Sequence, residues 1–355
     1  MVSGWAQHPG DRHHGAHGEA VSRSLSFPAE ELLDFSQNIN PLGAPQEVLE
    51  AATNALYEDS GRYPDLHYTQ LREALAEYLG VSAESVVPTN GGAEALFLAA
   101  AAAGDGEALV LEPTFSEYAA AARASGKETV RRVARRPEGG FRFDHSALDD
   151  LEGVSLVFLC NPNNPTGDAL DHEEVMHVAS RVRQVGATLV VDEAFADFVQ
   201  GISVAAAVEG GLWVARSFTK FFAIPGLRLG CLVCDDAERV KTLQPSWPVN
   251  AVAAAAGIAA ARDRGFAEAS FAEVARLRRC LFEALDHLVG LQPFPGVANF
   301  LLVRGPEGLV GRLVRRGVLV RGCGPFVGLG PAYFRVAVRG EVENGRLIST
   351  LREEL

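Results

Sequence analysis

Imine chemistry needs an amine that can lose its proton, and this chain has few. Of its 32 basic residues only Lys127, Lys220 and Lys241 are lysines; the rest are arginines, which stay protonated. Lys127 lies in a polar turn, SGKE, and Lys241 in a charged helical pattern, DDAERVKTL. Lys220 sits in SFTKFFAIPGLRLG, after an apolar run and close to Arg228. Burial and a neighbouring cation both depress an ammonium's pKa, which is what an amine nucleophile requires. On this segment alone, a lysine on a loop reads equally well. Three further segments bear on the choice. TNGGAEAL sets Gly91 and Gly92 just before a helix, where backbone N–H groups can bind phosphate, or where the glycines serve only a tight turn. CNPNNPTG (160–167) follows an apolar strand pattern and reads as a rigid loop at the strand's carboxyl end, where α/β sheets place ligands. VVDEAF puts Asp192 at the end of another such strand, as a helix cap or as the partner of a cationic ligand atom.

Elements of fixed kind must position these residues. EALVLE (107–112), VSLVFLC (154–160), ATLVVDE (187–193) and LWVARS (212–217) are apolar runs of strand length with helical patterns between several of them. Such alternation predicts an α/β fold with a mostly parallel central sheet covered by helices on both faces. VLEAATNALYED, LREALAEYLG (ending at Gly80) and GGAEALFLAAAAAG read as helices, and RYPD as a turn. Beyond residue 250, long helical patterns give way to NFLLVR, GVLVR and YFRVAVR, the mark of a smaller α+β domain. The expected division is an N-terminal arm with part of the small domain (1–46), a large domain (47–245) and a small C-terminal domain (246–355).

Composition narrows the function. With 48% hydrophobic and 22% charged residues the chain is globular rather than disordered. A net charge of −13 and the lack of a long basic run argue against a nucleic-acid partner. The densest basic cluster, Arg131, Arg132, Arg135 and Arg136, reads as a solvated surface. Five scattered cysteines do not form a disulfide framework, and the C-x-x-C at Cys231 and Cys234 lies in an apolar run that reads as a buried strand rather than a redox or zinc site. No apolar stretch in the first thirty residues resembles a secretory signal, and the Ala-rich run 251–261 is too short to cross a bilayer, so a cytoplasmic location without membrane association is expected. His8, His13, His14 and His17 cluster in the polar arm, without carboxylates or cysteines at ligand spacing; no metal is expected.

NPNNPTG, then DEAF, then SFTK with PGLRLG downstream, closely resembles the fold-type I pyridoxal 5′-phosphate (PLP) enzymes, the aspartate-aminotransferase-like fold. The resemblance runs from about residue 34 to 340 and is strongest to the histidinol-phosphate aminotransferase branch. Within that branch, HGAHGEA (14–20), DFSQNINPLG (34–43), DEAF and FRVAVR (334–339) are similar to the cobalamin-pathway L-threonine O-3-phosphate decarboxylases.

The resemblance implies roles. Lys220 would hold PLP as a Schiff base, and Asp192 would pair with the pyridine nitrogen. Asn164 would bond the ring's phenolic oxygen, and Phe115 would stack on the ring. Gly92, Ala93, Ser217, Thr219 and Arg228 would hold the phosphate, with Tyr63 reaching it from the other subunit of a homodimer. Arg335 would bind the substrate carboxylate. Arg321 is the candidate for a substrate phosphate, a strand-end salt bridge being the equal alternative, and Asn38 is a candidate wall of the pocket. The chain departs from the aminotransferases of this branch at Phe195, where they usually carry Tyr; Phe cannot donate to the phenolic oxygen.

The implied reaction is decarboxylation of L-threonine O-3-phosphate to aminopropanol phosphate, the alternative being a histidinol-phosphate or related amino-acid aminotransferase. Either way the substrate is a phosphorylated amino acid or amine. A non-catalytic PLP-binding regulator would need a DNA-binding head, which the arm before residue 34 is too short to form. A nucleotide-binding domain would need G-x-G-x-x-G or Walker spacing, which is absent around residue 91.

Overall fold

The computed structural model describes Arg23, Pro28, residues 31–137 and residues 140–355. The histidine cluster and the HGAHGEA segment lie outside the described residues.

A seven-stranded sheet forms the centre, in the order Val86–Thr89, Gly230–Val233, Leu212–Ser217, Thr188–Asp192, Val154–Cys160, Glu107–Glu112, Thr129–Val133. All neighbours are parallel except Gly230–Val233, which runs antiparallel to both strands beside it. The apolar runs become strands because helices bury both faces. Val157, Leu159, Val191 and Val214 point to the side covered by His172–Gln184 and Ala251–Arg262. Leu156, Phe158, Val190 and Trp213 point to the side covered by Gly92–Ala102 and Glu117–Ala124. Each fully buried Leu, Val or Phe contributes about 1.5–3 kcal/mol, so a strand apolar on both faces is fixed far more firmly than its 4–7 residues alone would allow.

The C-terminal part holds a four-stranded antiparallel sheet, Gln292–Pro293, Phe300–Arg304, Tyr333–Ala337 and Arg321–Gly322. Leu277, Leu281 and Leu285 of the long helix Arg264–Asp286 pack on it, with Leu347 and Leu351 of Glu341–Glu354. Leu33–Asp34 pairs in parallel with Val318–Leu319 and so ties the N-terminal segment to the C-terminal elements. Among the described residues no helix is long and apolar enough to cross a membrane, and no group of His, Cys, Asp or Glu is arranged to hold a metal.

Two expectations need correction. The arginine cluster is a solvated surface only in part: Arg131 and Arg136 are exposed, but Arg135 is 0% exposed, and the half-buried Arg132 donates from Nη1 to the carbonyls of Ala147, at 3.0 Å, and of Asp150. Arg131 and Arg132 lie on the edge strand Thr129–Val133, whereas Arg135–Arg136 pairs with Arg142–Phe143 in a two-stranded ribbon that follows it. Lys127 follows its turn but is buried, with Nζ donating to the carbonyls of Ala103 and Gly104. Cys231 and Cys234 are buried and unpaired, and burial pushes both thiols up to about 12, which removes thiolate chemistry.

Candidate active site

The carboxyl ends of three adjacent parallel strands converge. Val154–Cys160 leads into the 161–167 loop, Thr188–Asp192 ends on its carboxylate, and Leu212–Ser217 runs into the short helix Phe218–Phe221 that carries Lys220. Lys220 is half-buried. Burial, and then the cations of Arg228 and Arg335, lower its ammonium to about 8, against the opposing pull of Asp192. Asp192 is buried, and desolvation raises its carboxyl. Tyr118 Oη donates to its Oδ2 at 2.7 Å and the Ala194 amide to its Oδ1 at 2.9 Å. Tyr118 is itself fixed by stacking on Phe158, with centroids 5.1 Å apart.

The helix Gly92–Ala102 starts against the same strand ends. Gly91 has φ +81, and a Cβ there would stand 2.6 Å from Arg228 Nη2; one on Gly92 would stand 3.1 Å from Ser217 Cβ. A Cβ on Gly230 would meet the Gly91–Gly92 peptide at 2.6 Å, so three glycines bring the helix start, Ser217 and Arg228 together. The hydroxyls of Ser217 and Thr219 lie 2.8 Å apart. The N-terminal amides of an 11-residue helix, two hydroxyls and a guanidinium form the donor set of a phosphate site.

The segment 36–40 crosses the opposite wall. Arg335 Nη2 donates to the Ser36 carbonyl at 2.9 Å, and Nη1 to Asn164 Oδ1. At the other end, the Asn40 amide donates to the Lys220 carbonyl at 3.0 Å and Asn40 Nδ2 to the Phe221 carbonyl at 2.8 Å. Between them, both polar atoms of the buried Asn38 side chain have no hydrogen-bond partner among the described residues, and neither has Arg335 Nε. Burial lowers Arg335 to about 10. Arg321 is buried directly across the strand pair from Arg335, with its guanidinium carbon 5.7 Å from the centre of the Phe326 ring. Phe195 packs edge-on to Phe300, on which the Arg335 guanidinium rests at 5.2 Å. Phe115 lies edge-on to Tyr118 with centroids 5.8 Å apart.

Lys220, Asp192, Asn164, Phe115, the glycine–hydroxyl cup, Asn38, Arg321 and Arg335 thus belong to one region. Tyr63 does not reach it within one chain: it is 80% exposed and packs at a tilt against Trp247, ring centroids 4.4 Å apart. Sequence reasoning missed Tyr118, Ser36 and Asn40. Tyr118 could have been found, since it lies three residues after Phe115 in EPTFSEY; Ser36 acts through its main chain and left no signal.

The donor set fits PLP on features of this chain. The cup has no room for a Cβ, a depressed amine stands near a buried carboxylate, and the unpartnered Asn38 and Arg335 atoms add ligand capacity beside them. These features define a PLP-dependent enzyme of the aspartate-aminotransferase fold. The chain belongs to the family described as aminotransferase class I and II, which matches residues 30–351. It is 38% identical to a threonine-phosphate decarboxylase of Salmonella typhimurium over 352 residues, 96% of each chain. It is 32% identical to histidinol-phosphate aminotransferase 2 of Archaeoglobus fulgidus over 333 residues, 92% of this chain and 94% of that one. The structure of L-threonine-O-3-phosphate decarboxylase from Porphyromonas gingivalis superposes with a TM-score of 0.81 at 25% identity, covering 91% of this chain and 99% of that one.

Glu112, at the end of its strand, lines a neighbouring cavity of about 180 Å³ with Thr114, Ser116, Arg131 and Phe326. Burial pushes its carboxyl up to about 7, opposed by the Thr114 amide and by Arg131. A folded-state value above the ordinary 4.5 means that protonation favours folding. The stability it contributes is fully present below pH 4.5, is lost as pH rises to about 7, and stays lost above. Glu112→Gln should therefore be more stable than the parent at neutral pH, by on the order of 2–3 kcal/mol, with the gap closing as pH falls. Melting curves across that range check this; a gap independent of pH would show an ordinary carboxylate.

Proposed function

We propose that the chain decarboxylates L-threonine O-3-phosphate to aminopropanol phosphate and CO2. The observation that carries this reading is the pair of buried guanidiniums, Arg321 and Arg335, directly opposite each other on neighbouring strands. Two buried cations so close repel each other, and each is depressed by burial. A substrate with two anionic ends offsets both costs. Arg335 would take the carboxylate, Arg321 the phosphate, and Asn38 would supply a further donor.

Gly92, Ala93, Ser217, Thr219 and Arg228 would hold the cofactor phosphate, Phe115 would cover one ring face against water, and Asn164 would present Nδ2 to the phenolic oxygen while its Oδ1 orients Arg335. Asp192 would hold the proton on the pyridine nitrogen. When bound, PLP supplies an electron sink for the pair left on the substrate's Cα as CO2 departs. Lys220 Nζ would then deliver to that Cα the proton that replaces the carboxylate. Tyr63 would reach the phosphate site of a second copy, so light scattering should give twice the chain mass; a monomeric mass would remove Tyr63 from the site.

The alternative is histidinol-phosphate or related amino-acid transamination, whose keto acid acceptor, 2-oxoglutarate, also carries two carboxylates. Phe195 weighs against it, because it withholds the hydroxyl that aminotransferases of this branch usually place there. The test is product analysis. Threonine phosphate alone should yield aminopropanol phosphate and CO2 with no keto acid present. Turnover that requires 2-oxoglutarate, with histidinol phosphate as donor, would assign the aminotransferase instead.

A further inference from the structure

Among the described residues Arg135 is the largest fully buried side chain, and the cofactor site does not use it. Its Nε donates to Asp168 Oδ2 at 2.8 Å, and its guanidinium carbon lies 5.1 Å from the centre of the Phe143 ring. Both terminal nitrogens are buried without a hydrogen-bond partner among the described residues. As a source of stability this is a poor arrangement, because the desolvation of the charge is only partly offset. What the pair does is mechanical. Asp168 Oδ1 accepts from Thr166 Oγ1, which accepts from Asn163 Nδ2 at 2.6 Å. Asn163 Nδ2 also donates to the Pro113 carbonyl at 2.9 Å, and Asn163 Oδ1 accepts from Thr114 Oγ1 at 3.0 Å. The Asn163 amide returns to the Asp168 carbonyl at 2.8 Å. One ion pair thus clamps the loop that presents Asn164 to the segment that presents Phe115.

We propose that the Arg135–Asp168 pair is a positioning device that fixes Asn164, and through it Arg335, together with Phe115, at the geometry the cofactor and substrate require. The proposal rests on the roles assigned above to Asn164 and Phe115. It separates from a purely structural role because a buried ion pair can be replaced by apolar side chains of similar volume with little loss of stability, whereas a hydrogen-bonded clamp cannot be replaced that way.

The test compares Asp168→Leu, the double variant Arg135→Met with Asp168→Leu, and Asn164→Ala, all in the full-length protein loaded with PLP. Three quantities are read: melting temperature, the PLP dissociation constant by titration of the cofactor-free protein, and the pH midpoint of the bound cofactor's absorbance. Asp168→Leu alone should lower the melting temperature by leaving a buried charge unpaired. The double variant should regain most of it, yet bind PLP roughly 10–100-fold more weakly and move the absorbance midpoint in the same direction as Asn164→Ala. A double variant with parental affinity and midpoint, while Asn164→Ala shifts both, would overturn the positioning role and leave the role of Asn164 standing. No shift in Asn164→Ala itself would overturn both. These readouts do not depend on which substrate is turned over, so failure of the decarboxylase reading leaves them intact.

Discussion

Lys220→Ala should abolish turnover, by about 10⁴-fold or more, while the protein still folds and still takes up PLP reversibly. The substitution removes one half-buried amine from the end of Phe218–Phe221 and leaves the phosphate cup of Gly92, Ser217 and Thr219 untouched. Borohydride should fix the cofactor to the parental chain, with the added mass on the peptide containing residue 220, and should fix nothing to the variant. The parental amine is held near 8 by burial and by Arg228 and Arg335. Cofactor capture by the cofactor-free protein should therefore speed up as pH rises towards about 8 and level off above it, because only the neutral amine attacks. An ordinary lysine would keep accelerating well beyond that point. Retained turnover in Lys220→Ala, or covalent trapping at Lys127 or Lys241, would remove Lys220 from the chemistry.

The sheet could be read from the sequence because its strands are buried on both faces. EALVLE, VSLVFLC and LWVARS became Glu107–Glu112, Val154–Cys160 and Leu212–Ser217 with unchanged bounds, since nothing competes with burial in a run that has no polar face. The residues at the carboxyl ends of those strands were legible for the same reason: a parallel sheet leaves its ligands no other place. What was not legible depends on contacts far apart in the chain. Arg335 reaches the Ser36 carbonyl across 299 residues, and Arg321 opposes Arg335 only because two short strands pair in one register. Arg135 misled for a different reason. A run of arginines has the composition of a solvated face, and only the fold-back of Arg135–Arg136 onto Arg142–Phe143 shows that one of them is enclosed. Tyr118 is intermediate: it stands three residues after Phe115 in EPTFSEY, but its bond to Asp192 joins the helix Glu117–Ala124 to the end of Thr188–Asp192 through side chains, which periodicity does not encode.

Asp192→Asn should separate function from stability more sharply than any other single change. The carboxylate lies buried at the end of Thr188–Asp192, and desolvation raises it despite the donors Tyr118 Oη and the Ala194 amide. Without the cofactor's pyridinium opposite, the protein bears the cost of burying the charge; Asn keeps the shape, accepts from the Ala194 amide with its one oxygen, can donate its NH2 to Tyr118 Oη, and relieves that cost. The cofactor-free variant should therefore melt no lower than the parent, and higher as pH rises above the ordinary carboxylate range, because a raised carboxyl contributes stability at low pH and loses it as pH increases. With PLP the sign reverses. Asn cannot hold a proton on the pyridine nitrogen by charge, so the ring loses its strength as an electron sink. Turnover should fall on the order of 10²–10³-fold, and PLP should stabilise the variant less than the parent. Parallel melting curves with and without PLP, together with the turnover assay, read all three effects. An Asp192→Asn protein that is as active as the parent, or that is destabilised to the same extent with and without PLP, would mean that this carboxylate serves the fold and that the ring nitrogen is held by another group.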